Sequence, residues 1–568
     1  MWKKFDEMIS SIGFKNYKAF ASGELAFKPI TILLGANSVG KSSIIQLILM
    51  LLQSATDKAD LSALKTNGEI VSLGNIANLF RNRNTAKPIE LSIELDDTYT
   101  YWLRRNLLES IYKRLQIEYR KLERMGDDRI SQELKGRNFN SYIAESESNF
   151  KKICDLMDEA YGSFNYSYLL FEADNFETWK KEYLISYQIL NRIIREVPSS
   201  SSRLRCRVEL GYNAANRNKT NILYISRLSI ETIPDDIASP KFAQLLGLQV
   251  GKPLSHPTVE LTSDVLNAAQ IAEINEEFHK FRKQIIPNVR RNIFSYFTPE
   301  LDSDILFTPI VQQLPLPLKY TMQILQFALQ SVEQEFEIGK INYVSPLRAY
   351  PKRYYYLDKT KTPKSLDTLN GDSIAEVLKN NSKLKDKVNA WLQHFQIAID
   401  VHIIEEAIHK LKVQQNKLEL DITDVGFGIS QILPVIVQGF FTPAGSLTMI
   451  EQPEMHLHPK MQADLADLFI DIALPQQPNQ EERSFQKYLL IETHSEYLLK
   501  RLRRRIADKT ISADDVAIYY IEQKESNQST ISAIDIGRTG LFEWPEEFYG
   551  GELLKDTLDF LKLQSREV

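Results

Sequence analysis

The stretch that most constrains this chain runs from Ile30 to Ile45, Ile-Thr-Ile-Leu-Leu-Gly-Ala-Asn-Ser-Val-Gly-Lys-Ser-Ser-Ile-Ile. Ile30 to Leu34 read as a buried strand. Directly after it Gly35, Gly40, Lys41 and Ser42 satisfy G-x-x-x-x-G-K-[ST] at the required spacing. Such a loop binds phosphate. Its glycines let backbone N–H groups turn inward, and the helix expected over Ser42 to Gln53 points its positive end at the same place. Lys41 is placed to reach the β- and γ-phosphates of ATP and the Ser42 hydroxyl to ligate Mg²⁺. Asn37, Ser38 and Ser43 complete the cradle. A glycine-rich turn that binds nothing is the bland alternative, and the strand before the loop and helix after it argue against that.

At 568 residues the chain is too long for one ordinary domain, so two or three lobes are expected. With 43% hydrophobic and 25% charged residues it reads as soluble and globular. The net charge of −5 leaves any nucleic-acid contact to a local patch. Cys154 and Cys206 stand in no metal-ligand or redox motif, which suggests a reducing cytoplasm without structural disulfides. Met1 to Glu7 carry no apolar signal core, and the most apolar run, Ile44 to Leu52, is shorter than a bilayer span. The expected setting is therefore cytoplasmic, with no membrane partner.

Three segments follow from the pattern along the chain: residues 1–99, the first half of a nucleotide-binding head; 100–340, a mostly helical insertion; and 341–568, the rest of the head. Strands are predicted over Ile12 to Phe20 and Glu24 to Leu34 with Gly23 near their turn, and over Ile89 to Leu95 after a loop with a short helix at Val71 to Phe80. In the insertion, Trp102 to Met125 has apolar residues at helical spacing between many Arg and Lys. Strands at Cys206 to Tyr212 and Asn221 to Ile225 interrupt the helices, and Ser199 to Ser202 is the expected mobile loop. Beyond it, Tyr343 to Pro351 reads as a strand entering an extended loop and Asp372 to Leu378 as the start of a helix. Ile397 to Ile404 and Lys417 to Ile422 are expected as antiparallel strands.

The second half of the site is expected at Leu447-Thr448-Met449-Ile450-Glu451-Gln452-Pro453-Glu454-Met455-His456-Leu457-His458-Pro459, a buried strand ending in acids. A phosphate loop needs such a strand beside it, because a carboxylate at its end holds Mg²⁺ directly or through water. Glu451 takes that place. Tyr488 to Ser495 is another strand, ending in His494 where a γ-phosphate sensor would sit. Ahead of both, Asp424-Val425-Gly426-Phe427-Gly428-Ile429-Ser430-Gln431 is a glycine-rich turn opening an apolar helix, whose N–H groups and Ser430 hydroxyl offer a second phosphate-binding surface.

This order of phosphate loop, insertion, signature, Walker B strand and switch histidine resembles the ATP-binding cassette head of the SMC-like type. The resemblance implies an α/β fold, a mixed sheet with flanking helices, interrupted by a helical insertion between Walker A and signature. Asn37, the Glu-Gln-Pro-Glu-x-His-Leu-His-Pro run, Tyr343 to Arg348 and Glu543 to Phe548 narrow the likeness to a bacterial group of stand-alone cassette ATPases, often classed as AAA-type, over about 1–100 and 340–550. It implies a head-to-tail nucleotide sandwich, a dimer or higher oligomer in which Lys41 of one copy and Gly428, Ser430 and Gln431 of the other act on one ATP. Members resemble the ATPase subunits of Septu-type and retron-associated anti-phage systems, which assemble with a separately encoded HNH-type nuclease. Gln53 matches the Q-loop residue that contacts Mg²⁺ in relatives, or is an exposed helix residue.

One departure bears on chemistry. Where many cassette ATPases have Asp-Glu, this chain has Glu451-Gln452, and an amide cannot accept the proton of the attacking water. Either Glu454 serves as base or hydrolysis is slow and ATP acts as a clamp, since a missing base costs about 10²- to 10⁴-fold. His456 and His458 lack further ligands at metal spacing, which favours contact with an opposing subunit. The basic run Lys500 to Arg505 and the Arg and Lys pairs of the insertion helix read as solvated faces or as a surface for DNA or RNA. Tyr354-Tyr355-Tyr356 offers stacking partners for bases or a packed strand. No carboxylate cluster of the Toprim kind and no H-N-H spacing is present, so nuclease activity is assigned to a partner. The alternatives are a nucleotide-locked scaffold with negligible turnover, or a repair ATPase stimulated by DNA.

Overall fold

Alternation and glycine placement set the first elements of the computed structural model. It describes residues 9–57, 62–96, 99, 112–113, 115–163, 184–193, 202–213, 222–234, 243–250, 259–289, 315–356, 373–405, 408–415, 418–475, 486–524, 528–545 and 549–564. The chain divides into two compact units, Met1–Asp57, Lys65–Ile89 and Glu333–Val568 in one, Lys58–Leu64 and Glu90–Val332 in the other.

The first unit begins with the hairpin β1 (Ile9–Tyr17) and β2 (Phe20–Ala26), then β3 (Ile30–Leu34) and α1 (Lys41–Thr56). The hairpin turns at Lys18 and Ala19, not near Gly23, which instead pairs with Phe14 inside it. A Cβ at Gly23 would meet the Phe14 ring at 2.7 Å, so this glycine serves close packing rather than a turn. The single strand expected over Glu24 to Leu34 is split at Phe27 to Pro29, where proline has no N–H to give a ladder. Helix α1 is apolar on every face and buried along nearly its whole length. Each of its Ile and Leu side chains contributes roughly 1.5–3 kcal/mol by leaving water.

The insertion is expected to be mostly helical and broken by strands, and the strands of the second unit are longer and more numerous than the two expected. Strands β4 (Ile89–Leu95), β5 (Ser202–Asn213), β6 (Ile222–Pro234), β7 (Ala243–Val250) and β8 (Val259–Thr262) lie in the order β8-β7-β6-β5-β4. The cause is a period of two: Leu204, Cys206, Val208 and Leu210 are buried on one face of β5, while Arg203, Arg205 and Arg207 project from the other. Those arginines pair with Glu90, Glu94 and Glu231, which lets Glu94 sit almost fully buried. Helices α2 (Arg129–Leu134), α3 (Phe139–Glu145), α4 (Glu147–Ser163), α5 (Ala268–Val289) and α6 (Leu316–Glu335) make up the described helical part with 115–124 and 184–193. Of the helix expected from Trp102 to Met125, residues 102–111 lie outside the described residues, as do 199–201 of the serine loop, whose Ser202 opens β5.

The first unit resumes with β9 (Ile341–Val344), β10 (Tyr355–Tyr356), α7 (Ser373–Asn380), α8 (Ser382–Leu392), β11 (Ile397–Glu405), β12 (Ile408–Gln415) and β13 (Leu418–Asp421). The two strands expected as antiparallel neighbours are β11 and β13, but β12 stands between them and pairs with both. Its lysines mask the alternation of His409, Leu411 and Val413. Then come α9 (Phe427–Phe441), β14 (Leu447–Glu451), α10 (Pro459–Ala473), β15 (Tyr488–Glu492), α11 (Glu496–Ala507), β16 (Val516–Gln523), β17 (Ser529–Ile534) and α12 (Tyr549–Gln564). The unit's sheet is ordered β1-β2-β17-β16-β3-β15-β14-β9, parallel from β16 to β9 and antiparallel within the hairpins β1–β2 and β16–β17. The Walker B strand β14 is therefore not beside the phosphate-loop strand β3, because β15 is inserted between them. The sheet and α7 to α11 share one apolar core that includes Ile32, Ile450, Ile491, Ile432, Leu465 and Leu498.

Candidate functional site

Parallel strands β3, β15 and β14 end together, and the loops leaving them gather the site. The phosphate loop departs from β3 through Gly35, whose φ of 143° suits glycine and whose Cβ would fall 2.1 Å from the Ile521 carbonyl oxygen. It enters α1 through Gly40, at φ 113°, where a Cβ would meet the Phe20 ring at 2.8 Å. Asn37 and Ser38 at the lip are exposed, Gly40, Ser42 and Ser43 half-buried, and Lys41 buried. Lys41 Nζ donates to the carbonyls of Gly35 (3.1 Å) and Ala36 (2.7 Å).

The inserted strand supplies an acid that sequence reasoning did not single out. Glu492, the last residue of β15, accepts a hydrogen bond from Ser42 Oγ at 3.0 Å and stands 3.8 Å from Lys41 Nζ. Glu451, the last residue of β14, is its register partner across the parallel pair. Tyr343 of β9 donates its hydroxyl to Glu451 Oε1 at 2.8 Å. Burial pushes the Glu451 carboxyl up to about 7, with the charge of Glu492 adding to the effect. Burial likewise raises Glu492, against the pull of Lys41 and Ser42. Two buried carboxylates around one serine hydroxyl leave an excess of negative charge that suits a hard divalent cation. Mg²⁺ sites typically take one or two carboxylates plus phosphate oxygens, and among the described residues no larger acidic or histidine cage is present.

Gln452 follows Glu451 in the left-handed region at φ 44°; its N–H donates to the Glu492 carbonyl at 2.8 Å. Glu454 is held by two donors, Thr493 Oγ1 at 2.8 Å and the His494 N–H at 2.6 Å. Burial raises its pKa. His494 itself is half-buried, and its Nε2 has no hydrogen-bond partner among the described residues. Burial and the charge of Lys41 push its pKa down to about 4, so the ring is neutral near pH 7. Glu451, Gln452, Glu454 and His494 are thus brought to the edge where Lys41 and Ser42 lie.

Other expected site residues are placed elsewhere. Gln53 lies twelve residues along α1 from Lys41, roughly 18 Å at the rise of a helix. It is 3% exposed, neither a surface residue nor a ligand: Nε2 donates to the Lys65 carbonyl, and Oε1 accepts from the Ile70 and Val71 N–H groups. The signature turn leads into α9 through an exposed Gly426, and Gly428 packs on the following loop of β14, where a Cβ would come within 3.3 Å of the His456 carbonyl oxygen. Ser430 and Gln431, in the first turns of α9, are buried in the chain, so the Ser430 hydroxyl does not form the open surface expected of it. His458 is the N-cap of α10, its side chain accepting from the Lys460 N–H.

The basic run of α11 is largely neutralised. Arg501 pairs with Asp464 and Asp467, Arg505 with Asp467 and Asp508, and Lys500 with Glu496, while Arg503 lies over the rings of Phe542 and Trp544. Of the tyrosine triplet, Tyr355 is packed in β10 and Tyr354 and Tyr356 are exposed.

A family model described as AAA ATPase domain matches residues 8–499. No curated protein matches the chain. Among solved structures, the chain is similar to the SMC head bound to the C-winged helix domain of ScpA, at 10% identity over 93% of this chain and 98% of that one, with a TM-score of 0.34. It is similar also to the SMC head domain from Thermotoga maritima, at 7% identity over 93% of this chain and all of that one, with a TM-score of 0.31.

Proposed function

The chain belongs to the AAA ATPase domain family, and on that footing we propose that it binds ATP with Mg²⁺, hydrolyses it slowly, closes head-to-tail with a second copy on ATP and regulates a partner nuclease in anti-phage defence. The observation that carries the ATPase reading is the convergence of Lys41, Ser42, Glu451 and Glu492 at the ends of β3, β14 and β15. Lys41 and the loop N–H groups take the phosphates in place of the Gly35 and Ala36 carbonyls. Ser42, Glu451 and Glu492 are the residues that would hold Mg²⁺, which would supply charge stabilisation to the transferring phosphoryl group. Glu454 is the carboxylate available to accept a proton from water where Gln452 offers an amide, and the neutral, half-buried His494 is suited to sense the terminal phosphate. The nuclease partner and the defence role rest on the resemblance carried by Asn37 and the Glu451 to Pro459 run.

A second reading, a nucleotide-locked clamp, is favoured by Gln452 alone. Purification with ATP and Mg²⁺, a solution mass and identification of the bound nucleotide separate the two. Intact ATP in an oligomer that Lys41→Ala loses is the result expected of the clamp. ADP, with turnover abolished by Glu454→Gln, is the result expected of the working ATPase. Failure of the chain to retain or turn over nucleotide would overturn both.

A further inference from the structure

Arg348 is a buried cation whose donors are only partly used. It lies 5% exposed in the loop after β9 and sends Nη2 to the carbonyls of Glu451 (2.9 Å) and Gln452 (3.3 Å). Its Nε and Nη1 have no hydrogen-bond partner among the described residues. Leaving a guanidinium out of water without a full set of acceptors costs several kcal/mol, so a mere packing role would be met better by an apolar side chain. The nearby carboxylate that interacts with its charge is Glu454.

We propose that Arg348 is a positioning residue for hydrolysis, a clamp that fixes the loop after β14, and with it Glu454, by gripping the Glu451 and Gln452 carbonyls. The proposal rests on the ATPase reading above. Gln452 sits at φ 44°, a conformation that an L-residue holds only under constraint. The constraint comes from two sides: its N–H is tied to Glu492 and its carbonyl to Arg348. That same carbonyl accepts the Met455 N–H, and the Glu454 carbonyl accepts the Leu457 N–H, so the turn bearing Glu454 is built on Gln452. Just before this loop, Tyr343 of β9 grips the Glu451 carboxylate. One short segment thereby holds Glu451 at both its side chain and its carbonyl. Both bonds leave one nitrogen, Nη2, so the grip depends on where the long, buried Arg348 stem places that nitrogen.

The test uses the full chain with Arg348→Gln and Arg348→Lys. Three quantities are compared with the unaltered protein: ATP affinity, kcat, and amide exchange of residues 451–457 without nucleotide. The expected result is ATP affinity within about threefold, kcat lower by about 10²-fold from misplacement of Glu454, and exchange of 451–457 about tenfold faster with the rest of the sheet unchanged. Partial rescue of kcat by Arg348→Lys, whose ammonium can also give two bonds from one nitrogen, supports the clamp, and unchanged kcat in Arg348→Gln would overturn it. Equal loss of ATP affinity and kcat, with faster exchange throughout β3, β14 and β15, would make Arg348 a strut and overturn the proposal. If the unaltered chain proves not to hydrolyse ATP, the ATPase reading fails by itself, while the exchange comparison still decides whether Arg348 clamps the loop.

Discussion

Glu492 joins the phosphate loop to the Walker B edge, so its removal should be felt as a loss of metal rather than of nucleotide. Glu492→Gln is expected to raise the Mg²⁺ concentration needed for half-maximal turnover by about 10- to 100-fold while Mg²⁺-free ATP binding changes little; an unchanged Mg²⁺ dependence would remove it from the site. Gln53→Ala is the contrast. Its amide ties Lys65 to Val71 onto α1, so the variant should lose about 1–3 kcal/mol of stability in a denaturant titration with the same Mg²⁺ dependence as the unaltered chain. Glu451 adds a pH effect. Its carboxyl is raised from 4.5 to about 7 in the fold, so the folded protein binds that proton more tightly than the unfolded chain. Its contribution to stability is complete below about pH 4.5 and fades as pH rises through about 7. Without nucleotide, the melting temperature should fall between about pH 5 and 8 by the equivalent of on the order of 1–3 kcal/mol, and Glu451→Gln should flatten that fall; parallel curves would assign it to another group. Lys41 and Ser42 are legible in the sequence because the spacing of their loop is local, and Glu451 because it ends a short run of apolar, β-prone residues. Glu492 is not, because it reads as the last residue of a buried strand, and only the insertion of β15 between β3 and β14 turns it toward Ser42.

Elements built on strong periodicity match the sequence closely. Ile89–Leu95 occupies the residues expected of it, and strands form as expected at Leu447–Glu451 and at Tyr488–Glu492, the latter ending two residues before His494, as runs of apolar, β-prone side chains buried on a sheet allow. The misreadings fall where charge interrupts the pattern. In β12, and in Ser202 to Arg205 of β5 ahead of the strand expected from Cys206, lysines and arginines alternate with buried residues, and their acidic partners lie on other strands. The same holds for α11, whose arginines meet Asp464 and Asp467 of α10 more than thirty residues earlier. A basic run so paired acts as structure. Arg501→Ala with Arg505→Ala should lower stability by about 1–3 kcal/mol, within the range for half-buried network charges, and should leave the salt dependence of any DNA retention unchanged. A slope of log affinity against log salt reduced by about two would instead make both arginines phosphate contacts.

For the whole molecule, the phosphate loop and the acids that answer it all belong to one unit, Met1–Asp57, Lys65–Ile89 and Glu333–Val568. The sequence foretold a head interrupted by a helical insertion broken by strands, but it placed only two short strands where β5, β6, β7 and β8 form. Ligand linkage follows from this placement. At ATP and Mg²⁺ concentrations about 100 times Kd, binding should stabilise the unit that holds the site by about 2.7 kcal/mol. Amide exchange should slow at 35–43, 451–456 and 492–495, where N–H groups and acids surround the phosphates. Strands β5 to β8, which contribute no residue to the site, should exchange at the same rate with and without nucleotide. Protection confined to the first unit would mean that the insertion's own sheet does not report the nucleotide. Protection spreading into β5 to β8 would show that ATP binding reaches the insertion, and would make that unit the place to look for the surface through which a nucleotide-dependent partner is controlled.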